Sequence, residues 1–346
     1  MTQRFSIRVL ITVTIGVAVV AAALLVWQLA NVLLLGFAGV LVAVLLRACA
    51  DPIHHYTRLG EGWALALVLL TLVALFALGG WLLLPPLVRQ AEQLLSSLPD
   101  LVSQLETQLG NVPALQSLLQ QPSVDTLANR ATEIVTQLSN TLSATIGALS
   151  NVLLVIVAGI FFAASPKLYR QDLIRLVPTA ARERAQRLIG QLGATLRIWL
   201  LGQLLAMTLV GVLTFLGTWL IGLPYPLVLG VSAGLLDFIP FLGPVLAAVP
   251  AVLLALSSGG LSTVLWALVV YIVVQQLEGN LFQPLIQERA VSIPPALLVL
   301  SLVAFGTLFG LLGLLVATPL LAIIIVLVRE LYVKRLEEAP KPVDGR

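Results

Sequence analysis

Long apolar runs separated by short polar segments make up most of the chain. A helix that crosses the hydrocarbon core of a membrane needs about 20 mostly apolar residues. The pattern therefore predicts an all-α polytopic membrane protein with about eight transmembrane helices. A tight turn at Gln28–Asn31 is expected to divide the first two spans, and Pro85–Pro86 to end the third. The predicted spans are Ile7–Trp27, Val32–Leu46, Trp63–Leu84, Ile146–Ala164, Ile198–Gly222, Leu261–Leu277, Ile293–Phe309 and Gly310–Val328.

One further apolar segment, Pro226–Ser258, is too long for one span and is broken near its middle. Its first arm, Pro226–Phe238, would form about 20 Å of helix, against a hydrocarbon core of about 30 Å. Two short arms and an irregular tip predict a re-entrant helical hairpin; two proline-kinked ordinary helices are the alternative. Bulk at Gly243 is expected to impair transport more than folding. The candidate tip residues are Phe238, Pro240, Gly243 and Pro244.

The segment from residue 86 to 145 is polar but carries two apolar stripes. Apolar residues recur every three or four positions from Leu87 to Leu109 and again from Val124 to Leu142. This period is typical of amphipathic helices, and Ser123 is a candidate N-cap of the second helix. The stripes either pack on each other, as a small extracytoplasmic amphipathic helical segment, or also meet neighbouring subunits.

The positions of the basic residues predict the orientation of the chain. Lysine and arginine concentrate on the cytoplasmic side of membrane proteins. With eight crossings, 17 of the 19 basic residues fall on one side, and only Arg89 and Arg130 on the other. We therefore expect a multi-pass membrane protein with both termini in the cytoplasm. The predicted regions are spans at 1–85, the extracytoplasmic segment at 86–145, a span and basic loop at 146–197, a transport core at 198–328 and a cytoplasmic tail at 329–346.

The composition excludes several classes of protein. Apolar residues make up 59% of the chain and charged residues 10%, whereas soluble domains carry about 25% charged residues. The net charge of +3 does not indicate a nucleic-acid-binding protein, because the basic residues form no patch interleaved with aromatic side chains. A single cysteine, Cys49, and the adjacent His54 and His55 provide neither a disulfide nor a metal site. No cofactor is expected.

Motifs for catalysis do not fit either. Gly230–Gly234 matches the G-x-S-x-G pattern of hydrolases, but such enzymes place a histidine after the serine, and both histidines precede it here. We interpret these glycines as a close-packing helix face. The chain also contains no GxxxxGK[ST] phosphate-binding loop, so it carries no ATPase of its own. The sequence predicts a protein that is not an enzyme.

Two acidic residues, Asp237 and Glu278, interrupt the apolar C-terminal half. No lysine or arginine lies between Ile198 and Glu288, so neither acid has a basic partner in its own stretch. An acid inside a membrane is costly, and it can be protonated, bind a cation or bond to unwound backbone. The alternative is that each acid simply lies at a helix end. Four amides could line the same path or only join helices: Gln203, Gln275, Gln276 and Asn280.

Five stretches of the chain have a recognisable sequence: YRQDLIRLVP at Tyr169–Pro178, Leu201–Gln203, FIPFLGPVLAAVPA at Phe238–Ala251, VVQQLEGNLFQPLI at Val273–Ile286 and FGTLFGLLGLLVATPLLA at Phe305–Ala322. In these stretches the chain resembles the autoinducer-2 exporter (AI-2E) family of bacterial membrane proteins, and the resemblance covers essentially the whole chain. It implies a permease-like homo-oligomer of the bacterial inner (plasma) membrane, with either signal export or cation/proton exchange as the activity.

Taken together, these features predict a transporter of small polar solutes. Molecules like autoinducer-2 are one expected class of cargo. The first alternative is a cation (Na⁺)/proton antiporter in which Asp237 and Glu278 titrate. The second is a scaffold that organises other membrane proteins and transports nothing. The expected partners are membrane lipid, a small solute or cation, and further copies of the chain, with a pentamer as the expected assembly. The tip of the hairpin is expected beside Glu278 or Gln276.

Overall fold

A computed structural model describes residues 2–57, 59–110, 145–282 and 293–333. Within these ranges the protein is all helical, as the sequence predicts, and contains no strand. The second apolar stripe and its candidate cap, Ser123, lie outside the described residues. The helices are α1 (Thr2–Thr57), α2 (Glu61–Gly110), α3 (Thr145–Ala164), α4 (Pro166–Arg175), α5 (Arg182–Leu220), α6 (Pro226–Leu236), α7 (Leu242–Leu277) and α8 (Pro295–Val328), with short helical turns at Thr179–Ala181, Glu278–Phe282 and Arg329–Val333.

The first helix shows that the predicted turn at Gln28–Asn31 is wrong. Helix α1 continues through these residues, so the two predicted N-terminal spans form one helix. The sequence there is Gln-Leu-Ala-Asn, which contains neither glycine nor proline. Leucine, alanine and glutamine are good helix formers, and one asparagine does not offset them. Polarity alone therefore did not mark a turn.

The second helix contradicts the expected end at Pro85–Pro86. Helix α2 runs through both prolines to Gly110. Each proline removes a main-chain donor, which usually kinks or ends a helix. Here leucines flank the prolines on both sides, and their high helix propensity favours continuation. The apolar part, Glu61–Leu83, still agrees with the predicted third span.

Helix α7 folds back on itself at Gly260. This glycine has φ 67° and ψ −157°, values that are not helical. The hydroxyl of Tyr271 donates a hydrogen bond of 3.0 Å to the carbonyl of Ala247. In a straight helix these residues would be about 36 Å apart. The two arms on either side of Gly260 therefore run antiparallel, which agrees with the predicted boundary between Ser258 and Leu261.

Helix α8 folds back in the same way at Gly310, which has φ 61° and ψ −142°. A Cβ atom built on Gly313 would lie 2.0 Å from the carbonyl oxygen of Phe305. Straight helix would separate these residues by about 12 Å. The last two predicted spans are therefore the two arms of one hairpin, divided at the glycine where the sequence divides them.

Five helical segments of the described chain are long and apolar enough to cross a membrane. A sixth candidate is the pair α3 and α4, which are bent by 84° at Ser165. The protein is thus a multi-pass membrane protein, although the helices do not correspond one to one with the eight predicted spans. Two of the five candidate segments contain the fold-back points Gly260 and Gly310.

Ion pairs join four helices at one end of the bundle, which we call the basic end. Asp51 of α1 lies 3.4 Å from Arg197 of α5 and 3.9 Å from Arg47. Glu61 of α2 lies 3.4 Å from Arg47 and 2.5 Å from Lys167 of α4. Shared carboxylates make this a network and not a set of isolated pairs, and networks are the surface ion pairs that contribute most to stability.

Main-chain carbonyls at the basic end are also bound by arginine. The Nε atom of Arg47 donates to the carbonyl of Ala163 at 2.7 Å, in the last turn of α3. The last carbonyls of a helix have no partner within the helix, so a cation there satisfies them and complements the helix dipole. Arg184, at the start of α5, donates to the carbonyl of Glu330. The short helical turn Arg329–Val333 therefore lies beside the start of α5.

Candidate functional site

The break between α6 and α7 forms a compact tip at residues 237–241. The amide of Gly243 donates to the carbonyl of Ile239 at 2.9 Å, and the amide of Leu242 donates to Pro240 at 2.8 Å. Phe241 has φ 65°, a backbone conformation that residues other than glycine rarely adopt. The segment is thus not one continuous helix, and the predicted break is confirmed at the predicted place.

Gly243 is required by the geometry of this tip. A Cβ atom at Gly243 would lie 2.0 Å from the main-chain oxygen of Leu236 and 3.0 Å from the nitrogen of Asp237. Both neighbours are backbone, so they can move only if the tip opens. Any side chain at Gly243 would therefore separate the two arms, so we now expect bulk there to disturb folding as well as transport.

Asp237 lies at the centre of the tip and is 3% exposed. Its main-chain carbonyl accepts a hydrogen bond of 3.0 Å from the side-chain amide of Gln203 on α5. Its carboxyl group lies close enough to that of Glu278 for the two to interact electrostatically. The Oδ2 atom of Asp237 finds no hydrogen-bond donor among the described residues. The structure thus brings two acids together at a break in the backbone.

The four predicted amides divide into two groups. Gln203 holds the tip, and the amide of Gln275 donates to Oε2 of Glu278 at 3.0 Å. Gln276 and Asn280 are exposed and bond to each other at 2.9 Å. The structure therefore brings Gln203 and Gln275 to the acidic pair, while Gln276 and Asn280 lie on another face.

Two contacts of the tip are not indicated by the sequence. The ring of Trp199 on α5 meets that of Phe238 edge to face, with centroids 5.9 Å apart. Ile239 packs with Leu302 and Ala317, which lie on opposite arms of α8. The tip of one hairpin thus rests against the side of the other. No local pattern distinguishes these residues from other apolar positions, so only the structure identifies them.

Glycines let α5 and α6 approach closely beside the tip. A Cβ atom on Gly230 would lie 2.7 Å from the carbonyl oxygen of Gly211, and one on Gly234 would lie 2.6 Å from that of Met207. The interpretation of Gly230–Gly234 as a packing face is therefore supported by these contacts. Such contacts fix α6, and with it the tip, against α5.

A groove of about 360 Å³ opens between α5 and α6. It is lined by apolar side chains such as Met207, Phe215 and Val231, with Thr208 as its polar member. Neither Asp237 nor the other acid lies in its lining. Its chemistry suits an apolar neighbour, so the groove and the acidic tip are separate features.

Helix rise places the tip along the bundle. Gln203 lies about 9 Å beyond Arg197 along α5 and about 26 Å from Leu220 at the far end. The acidic tip is therefore buried in the half of the bundle nearer the basic end. Ile323 of α8 packs against the cluster that Leu41 forms with Leu196 and Leu200 of α5, and Gly310 lies about 20 Å further along α8. The α8 hairpin thus extends from the basic end, whereas the hairpin of α6 and α7 extends from the opposite end.

A family model and several known proteins resemble the chain. A family model described as "AI-2E family transporter" matches residues 14–332. "Putative transport protein MT0215" of Mycobacterium tuberculosis is 31% identical over 307 residues, which cover 82% of this chain and 79% of the relative.

Two Bacillus subtilis proteins match shorter regions. "Putative transport protein YueF" is 31% identical over 218 residues, 60% of this chain and 59% of the relative. "Putative transport protein YrrI" is 33% identical over 158 residues, 46% of this chain and 44% of the relative. The chain thus spans about half the length of these two relatives. Because the family match extends across the apolar helices and the acidic tip, the protein belongs to the AI-2E family of membrane transporters.

Proposed function

We propose that the protein is an inner-membrane permease that moves small polar solutes without an ATPase of its own, with autoinducer-2-like signals as one class of cargo. The observation that carries this proposal is the acidic pair at a break in the backbone, in which Asp237 is buried and Glu278 is half-buried beside it. Broken helices and ionisable groups within a membrane mark transport pathways, because each is costly without a solute, an ion or water nearby.

The opposed hairpins supply a route for this solute. We place the basic end in the cytoplasm, because basic residues favour that side. The α8 hairpin then enters from the cytoplasm and the hairpin of α6 and α7 from the other side. They meet where Ile239 contacts Leu302 and Ala317. Movement of one hairpin against the other would open the site to one side at a time.

Within this route, four side chains form the proposed solute or ion path. Asp237 and Glu278 supply carboxyl groups, and Gln203 and Gln275 supply amides that hold the tip and orient Glu278. Gln276 and Asn280 would lie at the outer edge of the path, because they are exposed and paired with each other. Phe238, Pro240, Gly243 and Pro244 would shape the tip and are not expected to bind the solute.

The test is flux of a panel of small polar solutes into proteoliposomes. Asp237→Asn and Glu278→Gln keep the shapes of the side chains and remove their charge. We expect each to lower flux at least tenfold while the protein still purifies as a folded species. Glu183→Gln is the matched control, because its carboxylate lies at the exposed start of α5. Wild-type flux in the Asp237→Asn, Glu278→Gln double variant would exclude this path.

Cation/proton antiport is a second candidate, and the facing acids favour it. Two carboxyl groups that face each other inside a membrane are balanced by a proton or a cation between them. A pH gradient imposed on proteoliposomes should then drive Na⁺ movement that Asp237→Asn abolishes. Solute flux without Na⁺ coupling supports the permease, and the lack of flux of any solute or ion supports the scaffold.

A further inference from the structure

Helix α4 runs across the end of a membrane span and not along it. It is bent by 84° from α3, and only Ser165 separates the two helices. None of its residues is buried. If α3 crosses the membrane, α4 lies close to the membrane plane, at the level where headgroups meet the hydrocarbon. This placement is independent of the acidic tip.

One side of α4 is apolar and uncovered. Leu168 is 54% exposed, Leu173 56% and Leu176, directly after the helix, 83%. At 100° per residue these three and Tyr169 fall within an arc of about 140°. Asp172 lies in the same arc, where Arg175 pairs with it at 3.1 Å. The helix is thus amphipathic, with its single acid neutralised.

The apolar side faces the membrane span. The ring of Tyr169 meets the ring of Phe162 on α3 edge to face, with centroids 5.0 Å apart. Because Tyr169 shares its arc with the three leucines, they are turned toward the side on which α3 lies. A helix that points its leucines at the hydrocarbon and its basic residues at the headgroups has the pattern of an interfacial helix.

Positive charge surrounds this helix. The stretch from Ser165 to Arg197 carries seven basic and two acidic residues. Arg170 of α4 is exposed, and its guanidinium reaches toward Gly190 on α5. Arg182 lies at the start of α5, one short turn after α4. Basic clusters of this kind beside a membrane surface attract anionic lipid at about 1 kcal/mol per residue.

We propose that α4 is an interfacial helix that binds anionic phospholipid headgroups at the basic end, with Leu168, Leu173 and Leu176 inserted into the leaflet. Arg170 and Arg182 would contact the phosphates. The bound phospholipid would hold α4, which connects α3 to α5, against the membrane surface next to the ion-pair network. The other occupant of such a surface, a second copy of the chain, is distinguished by the experiment.

The first experiment measures depth in nanodiscs with the full-length protein. A fluorophore is placed at Leu173→Cys or, as the matched control, at Gln171→Cys, both in a Cys49→Ser background. We expect nitroxide on lipid acyl chains to quench the probe at 173, and a water-soluble quencher to reach only the probe at 171. Equal access of the aqueous quencher to both probes overturns the proposal. A probe at 173 that neither quencher reaches also overturns it, because protein would then cover the face.

The second experiment tests the role of the basic residues. The protein is placed in nanodiscs of phosphatidylcholine, with or without phosphatidylglycerol, and native mass spectrometry counts the phosphatidylglycerol molecules that stay bound. Arg170→Gln and Arg182→Gln should each weaken its binding about fivefold, whereas Arg89→Gln, with the same charge change on the predicted far side, should not. Equal binding by the Arg170→Gln, Arg182→Gln double variant and the wild type contradicts the proposal.

Discussion

The side-chain amide of Gln203 donates a hydrogen bond of 3.0 Å to the main-chain carbonyl of Asp237. Asp237 is the C-cap residue of α6, directly after Leu236, and the carbonyls at the end of a helix have no partner within it. One polar side chain from α5 therefore provides the hydrogen-bond donor that the buried end of α6 lacks, and it fixes the position of the tip along α5.

Replacing Gln203 with leucine should loosen the tip. The carbonyl of Asp237 would lose its donor in a buried place, at a cost of about 1–3 kcal/mol. We expect a lower unfolding temperature in detergent and reduced solute flux. Gln276→Leu is the control, because its amide is exposed and bonds to Asn280. Equal unfolding temperatures for the two variants would show that the bond to Asp237 does not stabilise the tip.

Replacing Gly243 with alanine should damage the fold itself. The new Cβ atom would meet the backbone of Leu236 at 2.0 Å, and the arms would have to separate. We expect loss of the monodisperse peak in size-exclusion chromatography. At Gly193 a Cβ atom meets nothing within 4 Å, so Gly193→Ala should be neutral or stabilising by up to about 1 kcal/mol. A well-folded Gly243→Ala protein would contradict the described tip.

The proposed orientation can be read from cysteine labelling in cells. In a Cys49→Ser background, Gln171→Cys should be protected from a membrane-impermeant maleimide, because α4 lies at the basic end. Gln116→Cys should react, since it falls in the predicted extracytoplasmic segment. The reverse pattern would place the basic end outside the cell.

The homo-oligomer remains a prediction from the sequence. Native mass measurement in mild detergent should give more than one copy, with five as the expected number. Leu98→Glu with Leu105→Glu should dissociate the assembly if the first apolar stripe meets neighbouring subunits. An unchanged mass would instead place these leucines within one subunit.

The sequence predicts this fold best where glycine or proline coincides with a change of direction. The fold-backs at Gly260 and Gly310 and the tip beside Pro240 all lie at predicted boundaries. The turn at Gln28–Asn31 was wrong because polarity without a helix breaker does not end a helix. The helix end predicted at Pro85–Pro86 was wrong for the opposite reason, because flanking leucines of high helix propensity offset the two prolines.

The candidate site is only partly visible in the sequence. Asp237 and Glu278 can be identified as candidate site residues from the sequence, because an acid in an apolar stretch is costly. Their proximity is a long-range contact, which depends on the path of α7 around Gly260. The contact of Trp199 with Phe238 has no sequence signal at all, because an aromatic residue in a membrane helix is ordinary.

The unequal ends of α5 have a mechanical consequence. Near Arg197 this helix is fastened to α1 by charge, whereas beyond Leu220 it is joined to α6 by a short loop in which Gly222 and Tyr225 both have positive φ. Helix α6 is about 16 Å long, and its packing on α5 at Gly230 and Gly234, together with the bond from Gln203, opposes a rotation about that loop. Were these contacts released, a rotation of about 10° would displace the acidic tip by about 3 Å over that length, which would move Asp237 relative to Glu278 while the ion pairs at the basic end stay in place.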